Sequence, residues 1–340
     1  MKPPEFLLEY GKVADQRLHA FLETRQTRFE QLPVDLRDAS ALLSDYLLRG
    51  GKRLRGALVI LGHRAAGGDG EAALEASIGV ELLHAYLLIH DDFMDGDDLR
   101  RGGPTLHKSL GGDHLGDSLA ILLGSLCQAW AYQLVLGTGL PGGGERQAAK
   151  IMSLALEEVT LGQMADLRAP LAAPLDERGI LALERLKTGS YTFEMPLLLG
   201  AALADGPAQV VGALSAYARP LGQAFQIADD LLGSFGAPEV TGKPNASDLR
   251  EGKRTLLVAR ALERASPEDQ ATLRAGLGNP HADVEQLREI LRRTGAVDFA
   301  HAEAERLRDE ALRALDTPAL PADVAAVLRE IAVYTVGRTT

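Results

Sequence analysis

The stretch Glu71–His90 (EAALEASIGVELLHAYLLIH) runs without a break into Asp91–Gly102 (DDFMDGDDLRRG), and the reading of that junction decides the fold. Apolar residues dominate from Val80 to Ile89, the pattern of a helix buried on more than one face. Five aspartates then fall within the eight residues Asp91–Asp98. A helix turns about 100° per residue, so Asp91 and Asp95 stack on one face with Asp92 beside them. Carboxylates gathered at a helix end repel one another unless cations intervene, and Mg²⁺ characteristically bridges carboxylates to substrate phosphates. The bland alternative is a solvated acidic cap. The apolar turns just before the cluster place it instead at the mouth of a core helix. A calcium loop of the EF-hand type fails, because Leu99 falls at a ligand position counted from Asp95.

A second acidic pair lies far downstream, in Gln226-Ile227-Ala228-Asp229-Asp230-Leu231-Leu232-Gly233. Gln226, Asp229 and Asp230 are spaced i, i+3 and i+4, on one helix face. One Asp-Asp pair is weak evidence. Two of them, each ending an apolar helix, could together hold metal ions on one diphosphate. Compact basic groups accompany them. Gly50–Arg55 (GGKRLR) sets backbone N–H groups beside three cations, a seat for a diphosphate. Arg100 and Arg101 follow the first cluster, Lys187-Thr188 ends a helical stretch, and Lys243 and Lys253 flank the second.

Helical periodicity runs through the rest of the chain. Ala41–Leu48, Ser118–Leu136, Gln147–Met164 and Ile180–Thr188 read as helices, as do Val284–Thr294, Phe299–Leu315 and Ala322–Val336. Ser266-Pro267 is an N-cap followed by proline at the first helical position. Gly67–Gly70, Gly137–Gly144 and Pro170–Gly179 read as loops, and alternating β patterns are missing. From Ser118 to Gly144 there is no charge, yet Gly124, Ser125, Gln128 and Gln133 interrupt the apolar run. The expectation is a fully buried central helix rather than a membrane span.

Aromatics are 5% of the 340 residues and the net charge is −11, so a nucleic-acid partner is excluded for want of a basic face. The single Cys127 allows no intrachain disulfide. Charges at Lys2, Glu5, Glu9, Lys12, Asp15 and Arg17 leave no signal peptide, and a soluble, cytoplasmic protein without stable membrane insertion is expected. Glu81-Leu82-Leu83-His84 is a Glu-x-x-His motif, but a di-iron bundle needs two and the chain has one.

GGKRLR, HDDFMDGDDLRRG, GQMADL, KTGS, FQIADD and GKPNASDLREGKRT occur here in an order and spacing that resemble the trans-polyprenyl diphosphate synthases, from about Gly50 to Thr255. The resemblance implies an all-α isoprenoid synthase fold, a helical bundle around a central cavity. It implies one domain over residues 1–340, with core motifs in 50–255 and C-terminal helices in 266–340. It further implies a homodimer with three Mg²⁺ ions, condensing isopentenyl diphosphate with an allylic diphosphate. Residue by residue, it makes Asp91, Asp92, Asp95 and Asp229 metal ligands. It assigns isopentenyl diphosphate to Gly51, Lys52, Arg55, His84 and Arg101, and the allylic diphosphate to Arg100, Lys187, Lys243 and Lys253. Thr188 and Gln226 fall near the reacting carbons, and Arg338 resembles a basic C-terminal residue that closes over the isopentenyl site. The family's second motif commonly reads DDxxD; here its last position is Gly233. Tyr86, an aromatic five residues before Asp91, resembles the type that makes geranylgeranyl diphosphate (C20), with farnesyl diphosphate (C15) the alternative. Ideal helix geometry puts Leu87, not Tyr86, nearer the face of Asp91. A head-to-head condensing enzyme or terpene cyclase does not call for GGKR with RRG. A non-catalytic subunit of a heteromeric synthase would be expected to have lost these aspartates.

Overall fold

The computed structural model describes residues 2–168, 179–180, 182, 185–236 and 246–337. They are helical almost throughout. The order is α1 (Glu5–Glu30), α2 (Arg37–Leu48), α3 (Leu54–Ala65), α4 (Leu74–Asp95), α5 (Leu106–Ser109), α6 (His114–Leu136) and α7 (Gly144–Arg168). A π-helix at Arg185–Glu194 leads into α8 (Met195–Leu203) and the long α9 (Ala208–Phe235). Then come α10 (Ser247–Glu251), α11 (Leu256–Arg264), α12 (Pro267–Gly276), α13 (Val284–Arg293), α14 (Ala296–Ala314) and α15 (Ala322–Val336). Among the described residues the strands are a single antiparallel ribbon, β1 (Leu99–Arg100) against β2 (Gly103–Pro104). The chain divides into two compact units, Pro3–Lys150 with Pro196–Pro207, and Ile151–Met195 with Ala208–Thr340 and the first two residues.

In the first unit α4 packs along α6 and against α3. Val80, Leu82, Leu83 and Ile89 of α4 are buried together with Leu58 and Leu61 of α3 and Cys127 and Ala131 of α6. Each fully buried leucine contributes about 1.5–3 kcal/mol of hydrophobic free energy. α3 and α8 meet backbone to backbone: a Cβ at Gly62 would overlap the Leu197 carbonyl, and one at Gly200 the Val59 carbonyl. A buried polar knot ties α1 to α4. Arg53 pairs with Asp15 at 2.8 Å and with Glu81 at 3.6 Å, and donates to the Leu47 carbonyl. Glu81 also accepts from the Gly56 amide at 2.8 Å. Arg53 and Glu81 are therefore part of the packing between these helices.

The expectation for α6 needs correcting. Its buried residues are Gly116, Ala120, Leu123, Gly124, Cys127, Trp130, Ala131 and Val135, one stripe of the helix. Leu115 and Leu122 on other faces are 66% and 64% exposed, so α6 is not buried all round. Glu71–Asp95 and His114–Leu136 are each long and apolar enough to cross a membrane by composition.

In the second unit α9 packs against α14 and the π-helix. Phe193 meets Phe225 edge to face at 5.6 Å. Gly222 lets the backbones touch, since a Cβ there would sit 2.6 Å from the Gly189 carbonyl. The buried Tyr217 hydroxyl donates to the Leu328 carbonyl at 2.7 Å, tying α9 to α15. A second apolar cluster, including Leu249, Val258, Leu273, Leu287 and Leu291, joins the short helices that follow α9. Helix ends agree with their caps: the Ser266 hydroxyl accepts from the Asp269 amide at 3.2 Å. The helix expected at Ile180–Thr188 differs, because from Arg185 onward the chain is a π-helix, the rare geometry found mostly at functional sites.

Candidate active site

In the first unit the acidic segment begins on the last turns of α4 and continues past its end. Gly96, with φ 70°, caps α4 in the left-handed conformation that glycine adopts at no steric cost. The chain then forms the β1–β2 ribbon, whose turn is Arg101 (φ 52°) and Gly102 (φ 74°). Two left-handed central residues make this a type I′ turn, which costs a non-glycine residue about 1 kcal/mol. Arg101 is held there by donating from Nη1 to the Gly50 carbonyl at 2.6 Å. Its guanidinium lies over Gly51, where a Cβ would come 3.0 Å from Cζ. The glycine of GGKR thus makes room for the second arginine of RRG.

The aspartates divide by face. Asp91 and Asp95, one turn apart on α4, are partly exposed, whereas Asp92 is fully buried. Asp92 Oδ2 accepts from the Tyr46 hydroxyl at 2.8 Å, and Oδ1 accepts from Arg100 Nε at 2.6 Å. Arg100 also reaches Asp97 at 3.0 Å. Burial pushes the Asp92 carboxyl up in pKa, and the Arg100 guanidinium and Tyr46 hydroxyl oppose it. Asp92, expected beside Asp91 as a metal ligand, also anchors Arg100 and Tyr46 through its two oxygens. Tyr46 carried no sequence signal, since a lone tyrosine on an amphipathic helix looks like any core aromatic.

Gly51, Arg55, His84 and Arg101 come together as expected. Arg55 Nη1 lies 3.2 Å from His84 Nε2. A guanidinium only donates, so Nε2 accepts and the His84 proton resides on Nδ1. Burial, with Arg55, Arg101, Arg100 and Arg53 around it, holds the imidazole pKa well below 6.5, so His84 is neutral at pH 7. Burial and the nearby Arg53 likewise lower Arg101. The Arg55, Arg100 and Arg101 guanidiniums are only half-buried and repel one another, a repulsion that a bound anion would relieve. Lys52 is exposed beside it.

In the second unit Gln226 Nε2 donates to Asp230 Oδ1 at 2.7 Å, and Asp230 is buried while Asp229 is partly exposed. Lys253 pairs with Glu251 at 2.8 Å and with Asp248 at 3.4 Å. Lys243 and Arg338 lie outside the described residues, as do the side chains of Lys187 and Thr188.

Tyr86 and Leu87 are both half-buried. The Tyr86 ring meets His90 at 4.6 Å, and His90 Nε2 lies 3.0 Å from the Ile121 carbonyl of α6. Gly124 admits that imidazole, since a Cβ there would come 2.7 Å from His90 Cδ2. Tyr86 therefore lines the α6 side of α4, and His90 is a packing residue.

Among the described residues no three His, Cys, Asp or Glu side chains converge in a metal-holding group. The partly exposed carboxylates are Asp91 and Asp95, one turn apart on α4, in the first unit and Asp229 of α9 in the second. Few hard carboxylate oxygens, with the remaining positions left to phosphate and water, suit Mg²⁺, which seldom takes an all-protein cage.

A helical chain with two acidic helix segments and a half-buried arginine pocket is matched by the polyprenyl synthetase family model over residues 39–294. The short chain isoprenyl diphosphate synthase of Methanothermobacter thermautotrophicus is 33% identical over 305 residues, 89% of each chain. The geranylgeranyl diphosphate synthase of Saccharolobus solfataricus is 34% identical, over 85% of this chain and 87% of the relative. Among solved structures, a geranylgeranyl pyrophosphate synthase from Corynebacterium glutamicum, complexed with isoprenyl diphosphate and magnesium, superposes with a TM-score of 0.92 at 34% identity. That match covers 97% of this chain and 99% of the other. The chain belongs to the polyprenyl synthetase family.

Proposed function

We propose that this chain is a short-chain trans-prenyltransferase that condenses isopentenyl diphosphate with an allylic diphosphate and makes mainly geranylgeranyl diphosphate. The observation that carries the reading is the Gly51–Arg55–His84–Arg101 pocket, a cationic seat in a chain of net charge −11, adjoining the anchored Arg100 and the acidic end of α4. Isopentenyl diphosphate is held there, with Lys52 added at the rim. The allylic diphosphate is held by Arg100, Lys187, Lys243 and Lys253. These cations stabilise the negative charge that builds as the allylic C–O bond breaks. On the family pattern Asp91, Asp92, Asp95 and Asp229 would hold three Mg²⁺ ions, which would supply further charge neutralisation of the leaving diphosphate. On the family pattern Thr188 and Gln226 would orient the reacting carbons. The alkene of isopentenyl diphosphate, positioned by its own pocket, attacks the allylic carbocation. A proton then leaves to the departed diphosphate, restoring a double bond, and no protein nucleophile is used.

The two basic groups should separate kinetically. Lys52→Ala, Arg55→Ala and Arg101→Ala should raise KM for isopentenyl diphosphate about 10- to 100-fold, as expected for loss of a charge-assisted hydrogen bond. Lys187→Ala and Lys243→Ala should instead affect the allylic substrate or kcat. Steady-state kinetics with each substrate varied in turn decides it, and indistinguishable profiles would refute two separate seats.

Chain length is set along α4. Tyr86→Ala should extend the products past C20 when they are separated by length. A shift seen only in Leu87→Ala would move the floor to Leu87, and unchanged products from both would remove it from this helix.

The protein is proposed to act in the cytoplasm as a homodimer. Support comes from α6, a helix without charge from Ser118 to Leu136 that leaves Leu115 and Leu122 exposed. Sedimentation of the purified chain tests it, with a monomer at micromolar concentration the contrary result.

A further inference from the structure

The second acidic segment lacks a carboxylate at Gly233, one helical turn beyond Asp229 and on the same face of α9. Gly233 has ordinary helical backbone, so its conformation does not require glycine. Its surroundings favour it, since a side chain there would have to displace Asp248. A Cβ at 233 would overlap Oδ2 and Cγ of Asp248 and lie 2.9 Å from Oδ1. The space that a side chain at 233 would fill is taken by another carboxylate.

Asp248 reaches this position from α10, which packs on α9. It is 8% exposed and pairs with Lys253 through Oδ1 at 3.4 Å. Its carbonyl accepts from the Lys253 amide at 2.9 Å, so the turn that delivers the carboxylate also fixes the lysine. A buried carboxylate is costly to place without purpose, and this one stands where the Cβ of a third aspartate of the motif would stand.

We propose that Asp248 is the missing outer carboxylate of the second metal site, a positioning residue for the ion and its water at Asp229, and that Gly233 is present to admit it. The proposal rests on the reading of Asp229 as a Mg²⁺ ligand. It makes the site a product of two segments: α9 supplies Asp229, and the turn carrying Lys253 supplies the supporting charge. A motif that looks incomplete in sequence is then complete in space.

The test is a swap in the full-length chain, read by calorimetric binding of inorganic diphosphate across a Mg²⁺ titration and by Tm. Asp248→Asn keeps the shape and removes the charge. It should raise the Mg²⁺ concentration needed for diphosphate binding about 10-fold or more, the usual cost of losing an outer carboxylate of a metal site. Gly233→Asp alone should lower Tm and weaken binding, because two groups compete for one space. Gly233→Asp combined with Asp248→Ala should bind diphosphate at lower Mg²⁺ than Asp248→Ala alone. A changed Tm with an unchanged Mg²⁺ dependence in Asp248→Asn would overturn the proposal, as would a double variant no better than Asp248→Ala. Failure of the wild-type chain to bind diphosphate with Mg²⁺ would overturn the reading of Asp229 itself, and the inference with it.

Discussion

Replacing Asp91 or Asp229 by alanine should lower turnover by at least 100- to 1000-fold while leaving Tm nearly unchanged. Both carboxylates are partly exposed, and neither belongs to the buried core. Their cost therefore falls on chemistry. Negative charge develops on the leaving diphosphate as the C–O bond lengthens, and loss of one preorganised stabilising group typically costs about 3–4 kcal/mol of barrier. The loss should appear in kcat, because the interaction strengthens in the transition state. EDTA should abolish wild-type turnover and Mg²⁺ restore it. Undiminished activity in metal-free buffer would contradict this.

Asp92→Ala should add a large loss of stability that Asp91→Ala lacks, although the two residues are immediate neighbours. The Asp92 oxygens hold Arg100 and the Tyr46 hydroxyl, and the Arg100 side chain is 17% exposed. Removing one partner of a buried ion pair strands the other, at a cost of about 3–5 kcal/mol. Tyr46→Phe removes one hydrogen bond and leaves the ion pair, so about 1–3 kcal/mol is expected. Thermal unfolding should therefore rank Asp92→Ala well below Tyr46→Phe, and Asp91→Ala close to wild type. Activity falls in Asp92→Ala as well, since Arg100 loses its orientation. An unchanged Tm in Asp92→Ala would show that the pair carries no stability.

The contrast between Asp91 and Asp92 marks the limit of what the sequence discloses. Helical spacing grouped the three aspartates correctly on α4, because a period of about 3.6 residues fixes angles. It could not say which of them turns toward a tyrosine 46 residues upstream, since that depends on packing between elements. The same holds for Arg53, one of three cations in GGKRLR, which is consumed by Asp15 and Glu81. Ala322–Val336 was legible to the residue because a proline and a glycine bound it. The 26-residue α1 was legible in principle, with Leu7, Tyr10, Ala14, Leu18 and Leu22 on one stripe, but its many charges masked the period. Apolar composition alone overstated the burial of α6, because a surface apolar face and a core face read alike in sequence. Gly233 is the converse case: an apparent defect in a motif is explained only by the Asp248 carboxylate that fills the space.

The central claim is prenyl transfer by this chain alone. The direct measurement is mass spectrometry of products formed by the purified protein from isopentenyl diphosphate, Mg²⁺ and allylic primers of C5, C10 or C15. The account predicts elongation of the primers in C5 steps, ending mainly at C20. Primers recovered unchanged in every case, from a folded protein, would contradict it.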